Sequence, residues 1–108
     1  MKRVFVCSPL RGDRGKYSRY LEAALTDSWR RGEAPFAPHA MYPHYLNDEC
    51  RTQRELGIYS GLAWLECAEL VAVYIDLGIS DGMARERNDA LAHMIDIEYR
   101  SLPEWAGP

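Results

Sequence analysis

The chain has 108 residues, 47% of them hydrophobic and 27% charged, with a formal net charge of -3. A chain of this length predicts one domain, spanning residues 1–108. The mild acidity argues against duplex nucleic acid or an anionic membrane as partner, because proteins that bind them cluster a Lys/Arg excess. No run reaches the roughly 20 apolar residues that span a bilayer, and the first apolar run is too short for a signal peptide. We therefore expect an intracellular, cytoplasmic protein.

Metal and disulfide chemistry is not expected either. The chain has three cysteines and three histidines, at Cys7, Cys50, Cys67, His39, His44 and His93. An odd number of cysteines without a CxxC pair fits a reducing compartment better than a disulfide framework. The histidines lack HxxxH spacing and close Cys partners, so a metal site would need ligands from distant segments. We expect neither a metal nor another cofactor.

The first half of the chain predicts two strands around a helix. Val4–Cys7 is an apolar strand that stops at the Pro and Gly of the next loop. Apolar residues recur with helical spacing over residues 16–31, and Gly32 follows as a stop. Residues 34–39 are bounded by prolines and can form only a brief strand. Residues 40–49 are a loop with large side chains, which we expect to cover part of the domain.

The second half repeats the alternation. Residues 51–66 are helical by period and carry an apolar face at Leu56, Tyr59, Leu62, Ala63 and Cys67, with Gly57 and Gly61 indicating close approach of another backbone or a ligand. Residues 69–75 read as a strand buried on both faces. A helix begins after the N-cap Ser80 and continues to about residue 94, and residues 95–99 alternate like a half-exposed strand. The order βαβαβαβ predicts an α/β fold with a parallel sheet covered on both sides and a ligand beyond the carboxyl ends of the strands.

Two loops at that edge carry candidate ligand contacts. Ser8 and Arg11 follow the first strand, while Ser80 and Gly82 open a helix after the third. Free N–H groups and the helix dipole make such an N-terminus suitable for a phosphate or carboxylate. The alternative is that Ser80 only caps its helix and that Gly82 only relieves crowding.

Glu86 is the candidate nucleophile or general base. Helical spacing places it on one stripe with Met83, Ala90 and Met94, which we expect to face the sheet, close to the anion site. A partly desolvated carboxylate there has the position for covalent or acid–base chemistry. The alternative is an ion pair with Arg85, Arg87 or Arg11.

The remaining candidates have weaker patterns. His39 and Tyr42 lie in the aromatic loop and could contact a base or a sugar hydroxyl, or could only pack and cap. Asp76 ends the third strand within reach of the same edge. Cys7 lies there too, and without a base beside it we interpret it as a buried structural cysteine.

Three segments together resemble the nucleoside 2-deoxyribosyltransferase superfamily. They are Val4-Phe5-Val6-Cys7-Ser8-Pro9-Leu10-Arg11-Gly12-Asp13, residues 61–73, and Ser80-Asp81-Gly82-Met83-Ala84-Arg85-Glu86, whose Ser-x-Gly-x-x-x-Glu pattern is the most specific part. The chain is more similar to the small deoxynucleoside-monophosphate N-glycosidases and to phage and bacterial domains of unknown function. The resemblance implies a flavodoxin-like or Rossmann-like three-layer sandwich with a short parallel sheet of four to five strands.

The resemblance also implies roles for the candidate residues. Glu86 would attack the anomeric carbon, Ser80 and Gly82 would hold the 5′-phosphate, and Arg11 and Gly12 would lie near sugar and phosphate. The substrate would be a nucleoside or nucleotide, without a cofactor, and the chain would form a homodimer or larger homo-oligomer whose subunits complete one another's sites.

One departure from the family pattern leaves two functions open. The enzymes have an aspartate that helps protonate the leaving base, and here that position is Gly61; losing such an acid costs about 10² to 10⁴ in rate. His39, His44 or Asp76 could replace it. The first hypothesis is therefore hydrolysis or transfer at the N-glycosidic bond of a nucleoside 5′-monophosphate, and the alternative is a non-catalytic module that binds a nucleotide or nucleotide signal. A purely structural assembly protein is the third hypothesis.

Overall fold

The computed structural model of the protein describes residues 1–105 and contains a four-stranded parallel sheet between two layers of helices. The elements are β1 (Arg3–Cys7), α1 (Arg14–Arg30), β2 (Ala34–Phe36), α2 (Arg51–Leu65), β3 (Leu70–Tyr74), α3 (Asp81–Ala92) and β4 (Asp96–Arg100). Short 3₁₀ turns occupy Pro38–Ala40, Tyr42–His44 and Pro103–Trp105. The predicted α/β class, the alternation of strands and helices and the four-stranded parallel sheet are confirmed.

The strand order is β2-β1-β3-β4, with every pair parallel. Val4 is in register with Pro35 of β2 on one side and with Leu70 of β3 on the other. Pro35 is tolerated because β2 is an edge strand. The chain therefore leaves β1 toward one edge of the sheet and later returns on its other side. This reversal opens a crevice at the carboxyl ends of β1 and β3, where ligands bind in open α/β sheets.

Alternate residues of β1 belong to the two halves of the core. Val4 and Val6 pack with Tyr20 and Ala24 of α1 on one face of the sheet. On the opposite face, the core contains the alternating β1 side chains together with side chains of α2 and α3, namely Phe5, Cys7, Leu65, Met83 and Ala90. β3 is buried along its whole length, as expected for a parallel strand covered on both faces.

α1 begins and ends with local signals that the sequence carries. The carboxylate of Asp13 accepts a hydrogen bond of 3.1 Å from the backbone N–H of Lys16, which satisfies one free donor of the first turn. Gly32 has a φ of +81°, and the N–H of Glu33 donates to the carbonyl of Ser28 at 3.2 Å. This is the left-handed helix end predicted for Gly32.

α3 ends in the same way, but without a glycine. The N–H of Ile95 donates to the carbonyl of Ala90 at 2.9 Å, and Met94 adopts a φ of +55°. α3 therefore ends at Ala92, and Met94 lies beyond it with 91% of its surface exposed. The prediction that Met94 continues the buried stripe of Met83 and Ala90 was wrong, because this backbone turn directs it to solvent.

α2 has its predicted bounds to within one residue, yet its apolar face points to solvent. Gly61 and Leu65 are the buried positions of the helix, whereas Leu56 is 56% exposed, Tyr59 67% and Trp64 59%. Ala63 and Cys67 are exposed as well. We call Leu56, Tyr59, Ala63, Trp64 and Cys67 the α2 stripe; of the predicted apolar face only Leu62 packs against the core.

The C-terminal part of the described chain folds back on the domain. The Trp105 ring packs edge-on against Tyr20, with 5.1 Å between the ring centroids. Trp105 therefore covers part of the core that Tyr20 belongs to. No helix within residues 1–105 has the length and apolar character needed to cross a membrane.

Candidate functional site

A cleft of about 710 Å³ opens at the carboxyl ends of the central strands. Loops after β1 and β2 and the N-terminal turn of α3 surround it, and α2 forms a further wall. Most residues singled out from the sequence line it, namely Ser8, Arg11, His39, Tyr42, Ser80, Gly82 and Glu86. Segments distant in sequence thus converge at the edge where the strand order reverses.

Two candidates, Gly12 and Asp76, lie outside the lining of this cleft. Gly12 has a φ of +111° and turns the chain toward α1. The carboxylate of Asp76 accepts hydrogen bonds from the hydroxyl of Tyr20 at 2.7 Å and from the backbone N–H of Leu102 at 2.9 Å. Asp76 therefore links α1 to the segment after β4, and its geometry does not favour a substrate contact.

Glu86 lies on the side of α3 that faces the end of β1. Burial raises the pKa of Glu86 to about 7, although interaction with the Cys7 thiol and the charge of Arg85 act in the opposite direction. None of the ion pairs among residues 1–105 joins Glu86 to Arg85, Arg87 or Arg11. The ion-pair alternative is therefore not formed, and the carboxylate is left available to a ligand in the cleft.

Cys7 is fully buried beside this carboxylate. Burial raises the pKa of the Cys7 thiol well above its ordinary value, and the negative charge of Glu86 raises it further. The thiol is consequently protonated at neutral pH and acts as a small, nearly apolar neighbour. The interpretation of Cys7 as a structural cysteine agrees with this burial.

Ser80 caps α3 and remains exposed where it lines the cleft. Its Oγ accepts a hydrogen bond of 3.2 Å from the N–H of Met83, so the hydroxyl hydrogen is free to be donated to a ligand. A Cβ added to Gly82 would meet nothing closer than the Ser80 Oγ at 3.9 Å. Crowding within the fold therefore does not require Gly82. The missing side chain leaves the N-terminal amides of α3 open to a bound group.

Ser8 and His39 form a hydrogen-bonded pair inside the cleft. The Ser8 Oγ lies 2.8 Å from the His39 Nε2, and Ser8 is only 4% exposed. Burial lowers the pKa of His39 to about 4. The imidazole is therefore neutral at physiological pH.

The arginines of the cleft differ in their partners. Arg11 forms an ion pair of 2.9 Å with Asp48, which joins the β1 loop to the loop before α2. Arg54 and Arg85 also line the cleft, and neither has an ion-pair partner among residues 1–105. Two cations without internal partners make the cleft suitable for an anionic group.

Of the wall contributed by α2, the sequence predicted the close approach at Gly57 and Gly61 but not the side chains that line the cleft. Gln53, Arg54, Glu55, Ile58 and Tyr59 line the cleft. The signal was in the glycines: a Cβ on Gly61 would lie 3.1 Å from the Pro38 Cγ, and one on Gly57 would lie 3.3 Å from the Leu46 Cδ1. These glycines mark the side of α2 that approaches the loop after β2, so residues on the same side reach the cleft.

One group of side chains outside the cleft could hold a metal ion. Ligand atoms of Glu66, Asp89 and His93 lie within 4.8 Å of one another at the ends of α2 and α3. The Nε2 of His93 is 3.5 Å from Glu66, and the backbone carbonyl of Asp89, with which its ring bonds, raises the pKa of His93. When His93 is protonated it can pair with both Glu66 and Asp89, so an ordinary ion pair accounts for this group.

The comparisons with known proteins agree with this architecture. The model of a family described as "Domain of unknown function (DUF7768)" matches residues 2–100. Among curated proteins, none matches the chain significantly by sequence.

The solved structures that are similar in fold include two deoxyribosyltransferases. One is a 2-deoxyribosyltransferase from the psychrotolerant bacterium Bacillus psychrosaccharolyticus, with a TM-score of 0.68 and 18% identity over 92% of this chain and 72% of that one. The other is a 2-desoxiribosyltransferase from Leishmania mexicana, with a TM-score of 0.55 and 13% identity over 94% of this chain and 65% of that one. At these identities the likeness shows the fold, and it agrees with the resemblance found in the sequence.

Proposed function

Because the chain belongs to the family of domains of unknown function DUF7768, we propose its activity from its own cleft: it cleaves or transfers the N-glycosidic bond of a nucleoside 5′-monophosphate. The sugar is carried on Glu86 in the covalent intermediate. The observation that carries this proposal is the half-buried Glu86 carboxylate, which has a pKa of about 7 and no ion-pair partner in residues 1–105. The fold shared with two enzymes named as 2-deoxyribosyltransferases supports the same reaction class.

The phosphate of the substrate would bind at the N-terminus of α3. The hydroxyl of Ser80 and the amide of Gly82 are the donors there, and Arg85 supplies a positive charge one turn further along the helix. Anions are favoured at such a helix end by the free N–H groups and the dipole. Glu86 is four residues after Gly82, so the sugar attached to the phosphate would meet its carboxylate.

In the first chemical step one bond forms and one bond breaks. A carboxylate oxygen of Glu86 attacks the anomeric carbon, the C–N bond breaks, and the base leaves with the bonding electrons and later takes a proton. Water then attacks the glycosyl ester and releases the sugar phosphate, whereas attack by a second base completes a transfer. The nucleophile must be ionised, and a carboxyl group with a pKa near 7 is about half ionised at neutral pH.

A second candidate function follows from α2. The position that carries an acid in the enzymes of the resemblance is Gly61, and there even a Cβ would lie 3.1 Å from the Pro38 Cγ, so a side chain would require Pro38 to shift. Without a replacement for that acid, the cleft would bind a nucleotide and release it unchanged. This second candidate is a module that sequesters or senses a nucleotide or a nucleotide-derived signal.

Base release tests both candidates. The purified chain is incubated with deoxy- and ribonucleoside 5′-monophosphates, and free base is measured by chromatography beside Glu86→Gln. Release by the wild type that disappears in the variant supports the enzyme and identifies the base. If no nucleotide loses its base while one of them raises the melting temperature, the binding module is supported instead. If neither effect occurs, both proposals are wrong.

We also propose that the chain forms a homodimer or a larger homo-oligomer through the α2 stripe. Trp64 and Tyr59 are large aromatic side chains on this stripe, and each exposes more than half of its surface. Contiguous exposed apolar patches of this kind are typical of interaction sites. Tyr59 also lines the cleft, so a second copy on the stripe would border the binding site.

A further inference from the structure

We propose that Ser8 and His39 form the contact for the leaving base, and that this pair offers it one hydrogen-bond donor. The inference rests on the proposed function and identifies the group that replaces the acid absent at Gly61. Ser8 and His39 were singled out from the sequence only as separate candidate contacts.

The two residues of the pair come from the segments that follow two different strands. Ser8 directly follows β1, and His39 lies in the 3₁₀ turn after β2. Their side chains meet at 2.8 Å, and both line the cleft. Because Ser8 is almost completely buried, its hydroxyl has few partners other than His39 and a ligand.

Counting hydrogens defines what the pair can offer. A serine hydroxyl carries one hydrogen and a neutral imidazole carries one, and the bond between them uses one of the two. One hydrogen therefore remains: that of the Ser8 hydroxyl if Nε2 donates to it, or that of Nδ1 if the hydroxyl donates to Nε2. Since burial holds the pKa of His39 at about 4, the imidazole keeps this neutral state across the physiological range.

The order of the strands places the pair at the base end of a bound nucleotide. The N-terminus of α3 follows β3, Cys7 at the end of β1 interacts with Glu86, and His39 follows β2. A nucleotide whose phosphate lies at α3 and whose sugar lies at Glu86 would therefore extend its base over the end of β2. That is where His39 and the ring of Tyr42 line the cleft.

Other side chains of the cleft are less suited to this contact. Asp48 is engaged by Arg11 at 2.9 Å, and Glu55 is paired with Arg51 at 3.2 Å. Asp81 lies in the first turn of α3, at the phosphate end. His44 is exposed and is not among the residues that line the cleft.

The chemistry needs only a hydrogen bond. When the C–N bond breaks, its electron pair moves onto the base, and the remaining hydrogen of the pair bonds to a ring nitrogen or carbonyl oxygen where that charge develops. The base afterwards takes its proton from water. Removing one preorganised donor of this kind typically slows a reaction by about 10² to 10³.

The first arm of the test is binding without turnover. In the Glu86→Gln background, titration calorimetry compares deoxynucleoside 5′-monophosphates with 2-deoxyribose 5-phosphate. Ser8→Ala and His39→Leu each remove the partner that holds the remaining donor in place. We expect both to weaken binding of the best nucleotide by about tenfold, the ordinary effect of one hydrogen bond, and to leave binding of the sugar phosphate unchanged. His39→Gln, which can still bond to Ser8, should retain most of the nucleotide affinity, and His44→Leu is the matched control.

The second arm is leaving-group dependence in the active chain. Fluorine makes 5-fluorouracil a better leaving group than uracil, so it depends less on a hydrogen bond. Ser8→Ala should therefore slow release from deoxyuridine monophosphate more than release from its 5-fluoro derivative. A purely structural role would slow both equally.

Several results would overturn the inference. They are equal losses of nucleotide and sugar-phosphate affinity, no loss of either, or no binding of any probe. A His39→Gln variant as impaired as His39→Leu would also overturn it, because a hydrogen bond to Ser8 would then not be sufficient. If the binding arm succeeds but the wild type releases no base, the base contact stands and the proposed enzymatic activity fails.

Discussion

The carboxylate of Glu86 interacts with the thiol of Cys7, so the candidate nucleophile rests against the end of the central strand. Both groups are withdrawn from water, and burial raises the pKa of each. A carboxylate held there is destabilised relative to one in solvent, which makes its ionised form a stronger nucleophile. Cys7 and Ser8 are adjacent in sequence, yet they contact Glu86 and His39 respectively, which joins the two halves of the candidate site.

The burial of Glu86 predicts a stability that falls as pH rises. Its pKa is about 7 in the fold against an ordinary value of 4.5, so the native state binds the extra proton between these values. The contribution of Glu86 to the free energy of unfolding therefore decreases from pH 4.5 to 7 by up to about 3 kcal/mol. Glu86→Gln should remove this loss. Urea unfolding should find the variant more stable than the wild type at pH 8, by a margin that shrinks toward pH 4.5.

An exposed glutamate of α1 provides the control for this prediction. Glu22→Gln removes a carboxylate that is exposed to solvent and should not change stability in a pH-dependent way. Glu86→Gln and the wild type differing by the same amount at every pH would contradict the prediction.

His39 predicts the opposite dependence. Its pKa is about 4 in the fold against 6.5 ordinarily, so the unfolded chain binds more protons between these values. Stability from this residue is fully present above pH 6.5 and is lost as pH falls toward 4, again by up to about 3 kcal/mol. Relative to the wild type, His39→Gln should therefore gain stability at pH 4.5 but not at pH 8.

Between pH 4.5 and 6.5, the effects of Glu86 and His39 on the pH dependence of stability should nearly cancel. Unfolding releases a proton from Glu86 and binds one at His39, so their contributions to the slope nearly cancel. In this window, Glu86→Gln should reveal a stability that rises by about 1.4 kcal/mol per pH unit, and His39→Gln one that falls equally. Parallel curves for the wild type and both variants would show that neither pKa is displaced.

A substitution at Gly82 should have opposite effects on stability and on ligand binding. Glycine within a helix costs up to about 1 kcal/mol relative to alanine, and a Cβ at this position meets no atom closer than 3.9 Å. Gly82→Ala should therefore stabilise the chain in thermal unfolding while weakening its binding of a nucleoside 5′-monophosphate. A variant with unchanged affinity for the nucleotide would contradict the proposed phosphate contact.

Gly61 and Gly57 form a matched pair of tests for the α2 wall. A Cβ at Gly61 would press at 3.1 Å on the Pro38 ring, which cannot rotate away, whereas one at Gly57 would meet the movable end of Leu46 at 3.3 Å. We expect Gly57→Ala to be neutral or stabilising and Gly61→Ala to destabilise by about 1 kcal/mol. Denaturant midpoints measure both. Equal effects of the two substitutions would contradict this account.

Local signals in the sequence explain which elements could be predicted. The apolar run of β3, the Ser80 cap and Gly32 after α1 each determine their structure within a few residues, and all three were correct. The orientation of α2 could not be predicted in this way. Periodicity gives an apolar face but does not say whether the domain itself or another surface covers it.

Asp76 and Glu86 illustrate the same limit for the site. Asp76 is occupied by Tyr20, which is 56 residues away in sequence, so no local pattern reveals that the carboxylate is already used. The helical stripe did predict that Glu86 is partly buried. Its neighbour Cys7, however, reaches it only through the pairing of β1 with β3, which brings Cys7 level with Val73.

The α2 stripe predicts an association that single charges should disrupt. Leu56→Glu or Ala63→Glu places a carboxylate in the proposed apolar contact, where burial without a partner is costly. Each should shift the chain to a smaller mass in analytical ultracentrifugation at a concentration where the wild type is associated. Trp29→Glu is the control, because Trp29 is 57% exposed and lies on α1, which packs on the face of the sheet opposite to α2. A wild type that sediments as a monomer, or a control that dissociates as readily, would contradict the proposed interface.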